Sequence, residues 1–178
     1  MRKIVLTFGL ISGAILSVMM FLTIPFMDKI GFDQGAVVGY TSMVIAFLMV
    51  YFGVRSYRDN EAGGSVTFGR AFKVGLLITL IASVCYVASW QVLYYKFMPD
   101  FTDKYAAHAI DKAKRSGASD AQIAATTKEM AEFKELYKNP LVNIGFTFLE
   151  PLPVGLLFAL GAAWGLSRKR KPAGVAVA

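Results

Sequence analysis

The sequence predicts an all-α polytopic membrane protein: four transmembrane helices, with an amphipathic helical hairpin between the third and the fourth. Three observations predict it. Apolar residues make up 56% of the chain and charged residues only 17%, against roughly 25% charged in soluble domains. Lys and Arg avoid four long stretches and crowd into the segments between them. Each stretch also reaches the length of a spanning helix, about 20 residues for about 30 Å of hydrocarbon.

The first span covers residues 4–27, carries no charge, and ends at Asp28-Lys29. Met1-Arg2-Lys3 ahead of it has the look of a signal peptide. Cleavable apolar regions run only about 7–15 residues, however, and no small-residue cleavage site follows, so a retained helix is expected. The second span, 35–54, stops at Arg55. Asn60-Glu61-Ala62-Gly63-Gly64-Ser65 is a polar, turn-forming run. Its glycines lack the flanking strand and spacing of a phosphate loop. Phe68, Ala71, Phe72 and Gly75 then recur at helical spacing with Arg70 and Lys73 between them. That pattern predicts a short helix at the headgroup level, aromatics inward and cations snorkelling outward.

The third span, 74–95, lies between Lys73 and Lys96, and Met98-Pro99-Asp100 ends it. The water-exposed connection 98–139 reads as two helices. The first covers 100–115, with Phe101, Tyr105 and Ala109 on one face; Ser116-Gly117-Ala118 is the turn. Ser119 and Gln122 form a capping box for the second, 120–138. There Ile123, Met130 and Tyr137 repeat every seven residues, with Thr126 and Phe133 between, an amphipathic stripe. Each helix is expected to cover the other's apolar face. Acidic and basic residues balance across this stretch, as in Lys128 with Glu132, so a mutually paired surface is expected. Asn139-Pro140 leads into the fourth span, 141–167, whose only charge is Glu150. Arg168-Lys169-Arg170-Lys171 closes it. One membrane domain over 1–171 and a disordered tail, 172–178, complete the layout.

A net charge of +7 would suggest nucleic acid in a soluble protein. Here the cations sit at span ends, where they set topology and meet anionic headgroups, so no nucleic-acid partner is expected. Lys and Arg number ten on the side of the termini and nine on the other. The near tie is broken by the first connection, which carries only Lys29, and by the dense cluster after the fourth span; both predict cytoplasmic termini. Cys85 is the only cysteine and His108 the only histidine, too few for a disulfide or a cysteine-based zinc site. No cofactor is expected. His108 reads as a surface or partly packed residue. Gly9 with Gly13, and Gly161 with Gly165, have the four-residue spacing that lets membrane helices approach. Trp90, Tyr94, Tyr95 and Trp164 fall near span ends, as interfacial anchors do.

Glu150 is the residue that resists a bland account. It is the tenth residue of the fourth span, about 14 Å along a helix rising 1.5 Å per residue, hence near mid-membrane. An ionisable group there costs roughly 2.5–3.5 kcal/mol on insertion scales and usually faces the bundle interior. Pro151 and Pro153 follow at once, freeing backbone carbonyls one turn back. A kinked helix with a carboxyl at the break suits a proton or cation site. It equally suits a protonated structural carboxyl, for which Tyr86, Ser17 and Ser42 lie at comparable depth on the other spans. No second intramembrane ionisable residue is present in the spans.

With these residues in order, the chain resembles a family of small bacterial membrane proteins, domain of unknown function 4199. The resemblance rests on Phe8-Gly9-Leu10-Ile11-Ser12-Gly13, Tyr57-Arg58-Asp59 and Thr67-Phe68-Gly69-Arg70-Ala71-Phe72 through Gly75. It continues in Pro99-Asp100-Phe101, Asn139-Pro140, and Glu150 with Pro153-Val154-Gly155. It implies a four-span protein of the bacterial inner membrane and brings no activity, ligand or catalytic residue. Two functions stay open. The first is a non-enzymatic membrane component that binds a protein partner or a second copy through its bundle or its 98–139 hairpin. The alternative is a small transporter or channel subunit that uses Glu150 for proton or cation coupling.

Overall fold

Segments without charge or proline long enough to cross a bilayer become single helices, and the prolines mark where they break. The computed structural model describes residues 1–167. Its α-helices there are α1 (Arg2–Thr23), α2 (Met27–Ile30), α3 (Phe32–Asn60), α4 (Phe68–Lys96), α5 (Phe101–Arg115), α6 (Asp120–Tyr137), α7 (Pro140–Leu149) and α8 (Leu152–Leu166). Four helical units are long and apolar enough to cross a membrane: Arg2–Ile30, Phe32–Asn60, Phe68–Lys96 and Pro140–Leu166. The expected tail, 172–178, and the basic cluster at 168–171 lie outside the described residues.

In the first unit, Pro25 sits in a 3-10 turn, Ile24–Phe26, that separates α1 from α2. The chain then reverses at Gly31, whose φ of +82° favours a residue without a Cβ. α3 and α4 each run 29 residues, about 43 Å at 1.5 Å per residue. Both overshoot the hydrocarbon, so their charged ends project past it. The short headgroup-level helix expected around Phe68–Gly75 is therefore not separate. With Thr67 as N-cap, those residues are the first turns of α4.

α1 packs against α3 and α4, and α8 packs against the same two helices. The seam is built on small residues, as membrane packing requires when lipid is as apolar as the core. A Cβ added at Gly13 would lie 2.6 Å from Cys85 Cβ, and one at Gly9 would lie 2.8 Å from Ile81 Cβ. On the other seam, Gly155 meets Thr79 and Gly75 meets Ala159. Among the described residues, Gly161 and Gly165 have nothing within 4 Å of an added Cβ; despite their spacing they are not contact glycines there. Phe47, Val50, Val54, Val74, Ile78 and Ala82 form the fully buried core. Ser12 Oγ donates to the Ala46 carbonyl at 2.9 Å, a polar clasp between α1 and α3.

At one end of the bundle the N-terminal amino group pairs with Glu61. At the other end α5 and α6 pack on each other. Ser119 and Gln122 make the reciprocal capping box, and Lys128 lies 3.9 Å from Glu132. On α6 the Ile123, Thr126, Met130, Phe133 and Tyr137 stripe faces inward. Phe133 meets Tyr105 and Phe146, and Tyr137 meets Tyr94. The hairpin helices do not simply cover one another, however. Phe101, Tyr105 and Ala109 of α5 line a cavity in the bundle. Trp90 and Tyr94 are buried under the hairpin rather than placed as interfacial anchors, whereas Tyr95 and Trp164 are exposed.

Candidate functional site

The break in the fourth span positions the site. Pro151 cannot donate a backbone hydrogen bond, and α7 ends at Leu149 with Glu150 as its C-cap. α8 then restarts with Pro151 as N-cap and Pro153 in its first turn. Below the break, α8 packs on α3 and α4; above it, α7 packs on α4 and α6. α3 thus packs chiefly on the lower half of the span.

A cavity of about 370 Å³ lies beside the break. Leu16 and Met20 of α1, Ser42 and Tyr40 of α3, and Tyr86 and Trp90 of α4 form its walls. Glu150 is the only residue from the fourth span that lines it. Tyr40 and Glu150 both line the cavity and are exposed at the surface, so it opens beside them.

α5 roofs the cavity. Phe32 touches the rings of Phe101, Tyr105 and His108, at centroid distances of 5.9, 5.8 and 5.2 Å. Lys112 Nζ donates to Asp33 Oδ1 at 2.6 Å, and His108 Nε2 stands 3.6 Å from the same oxygen. Lys104 Nζ donates to Asp28 Oδ2 at 2.8 Å and lies 3.1 Å from Asp100 Oδ2. The bond to Asp28, then that to Asp100, raises the Lys104 pKa above its ordinary value. The ammonium stays charged and keeps α5 tied to the α1–α3 turn.

Glu150 and Tyr86 come together: Tyr86 Oη donates to Glu150 Oε2 at 2.9 Å. Among the described residues that is the one hydrogen bond to the carboxyl. Ser42 lines the same cavity, but its hydroxyl donates to Val38 O of its own helix at 2.7 Å. Ser17 is elsewhere, on the α1–α4 seam, with its Oγ 2.7 Å from Ser89 Oγ. Chemically, the site offers one carboxyl with a phenol on one oxygen, an aromatic and thioether wall, and a route from the side. Among the described residues no group of three or more His, Cys, Asp or Glu is placed to hold a metal ion.

A second polar layer was not legible in the sequence. Gln91 Nε2 donates to Asn143 Oδ1 at 2.7 Å, and Trp90 Nε1 donates to Tyr137 Oη at 3.0 Å. Asn143 is fully buried, and among the described residues its Nδ2 has no hydrogen-bond partner. Uncharged amides do not interrupt an apolar run as charges do, so a search for charge passes over them. Their signal is an Asn or Gln inside a span, where an unpaired amide is costly. This layer ties α4 to α7 and to the hairpin.

No curated protein and no solved structure matches the chain. A family model described as "Protein of unknown function (DUF4199)" matches residues 7–168, and the chain belongs to that family.

Proposed function

We propose that this is a non-enzymatic multi-pass component of the bacterial inner membrane, both termini cytoplasmic, in which Glu150 serves as an intramembrane proton or cation site. One observation carries the reading. Glu150 lines a cavity instead of being sealed in the core, while Tyr86 holds one of its oxygens at 2.9 Å. A carboxyl kept only for packing needs no open volume beside it. One that binds and releases an ion needs an approach path and a hydrogen bond to orient it. A sealed carboxyl within the helix seam would have supported the structural role.

Glu150→Gln keeps the shape and removes the exchangeable charge. Membrane abundance and melting temperature should stay near wild type while any ion-coupled phenotype or flux in reconstituted vesicles is lost. Loss of abundance in parallel with function would instead assign Glu150 to folding.

The reading in which the 98–139 hairpin docks a protein partner or a second copy draws on less. The aromatic faces of α5 and α6 are used within the chain, α5 on the cavity and α6 on α5, α4 and α7.

A further inference from the structure

The cavity has a size, a lining and a charge pattern that together point to one class of ligand. At about 370 Å³ it lies within the range of small-molecule sites, roughly 300–1,000 Å³. Met19, Met20 and Met27 of the first span line it together with Tyr40, Tyr86 and Trp90. Thioethers adapt to varied apolar shapes. Aromatic faces attract cations, tryptophan most strongly.

The charges are unevenly placed. Away from the roof, Glu150 supplies the one lining carboxyl among the described residues, with the Tyr40 and Tyr86 phenols. The basic lining groups, His108 and Lys112, lie at the roof and both face Asp33. An anion would therefore meet an uncompensated carboxyl. A metal ion would find one carboxylate and few further oxygens, short of the six or more that hard cations take. A bulky organic monocation has both the apolar body and the charge that the cavity complements.

Resting on the reading of Glu150 as a proton or cation site, we propose that the cavity binds a lipophilic organic cation, which enters from the bilayer beside Tyr40 and Glu150. Its charge sits at the Glu150 oxygen that Tyr86 leaves unbonded, against the rings of Tyr86 and Trp90. Ligand and proton then compete for one carboxyl.

The test uses the full chain, purified and placed in lipid nanodiscs, with labelled tetraphenylphosphonium as probe in equilibrium dialysis. Saturable binding is expected, tightening as pH rises. Tetraphenylborate, an anion of the same shape, should fail to compete. Glu150→Gln should weaken binding roughly thirtyfold or more, the loss that follows removal of one partner of a desolvated charge pair. Gly39→Leu provides the second variant. Gly39 lines the cavity, and an added Cβ there meets nothing within 4 Å. The leucine should occupy part of the volume and weaken binding while leaving the carboxyl and the fold in place. Absent binding, equal competition by tetraphenylborate, or binding unchanged in either variant would overturn the proposal. An ion-coupled defect in Glu150→Gln without probe binding would overturn the organic-cation assignment alone and leave the proton site standing.

Discussion

Glu150 and Tyr86 form a unit whose members lie on different spans, and among the described residues neither side chain has a second hydrogen-bond partner. Tyr86→Phe removes the donated hydrogen bond and little volume. It should destabilise the protein by about 1–3 kcal/mol, the cost of leaving a partly desolvated polar group unpaired; thermal melts in detergent would measure it. In the double variant with Glu150→Ala, which removes the acceptor, the loss should be less than the sum of the single losses, because the two side chains share one interaction. Additive losses would show that the 2.9 Å contact contributes nothing to stability. Glu150 was legible as the lone charge in a span. Tyr86 was one of three hydroxyls at similar depth, and depth does not say which way a side chain faces. Ser17 and Ser42 bond elsewhere because α1 turns Ser17 into the α4 seam and Ser42 satisfies its own helix.

At the level of helices, close approach is confined to particular glycines. Gly13→Leu should force α1 off α4 at Cys85, costing about 1–3 kcal/mol by overpacking, and Gly155→Val should do the same at Thr79. Gly161→Ala and Gly165→Ala have open space among the described residues and should be neutral or stabilising by up to about 1 kcal/mol through helix propensity. A denaturation series on the four variants separates the two classes. Equal costs would mean that spacing alone, and not contact, governs these glycines. Both pairs in the sequence share one spacing, so the pattern cannot separate them; the rotation of each helix against its neighbour does. The same rotation buries Trp90 and Tyr94 under the hairpin and leaves Tyr95 outside.

Across the whole molecule, the N-terminus and the α3–α4 connection share one end of the bundle, and the hairpin occupies the other. With both termini proposed as cytoplasmic, alkaline phosphatase fused at Gly117 should be active and a fluorescent protein fused at the C-terminus should fluoresce. The reverse pattern would invert the orientation and leave the fold untouched. The sequence by itself determined the all-α class, the four spans, and the hairpin with its capping box. Those follow from run lengths, charge placement and turn chemistry, all local properties that hydrocarbon thickness or a single helix end can read. Only the tertiary structure decided that α5 roofs a cavity, that α3 packs chiefly on the lower half of the fourth span, and that Tyr86 meets the carboxyl. Those depend on how each helix is rotated and where it leans on its neighbours. Side chains far apart in the chain settle that jointly when they pack.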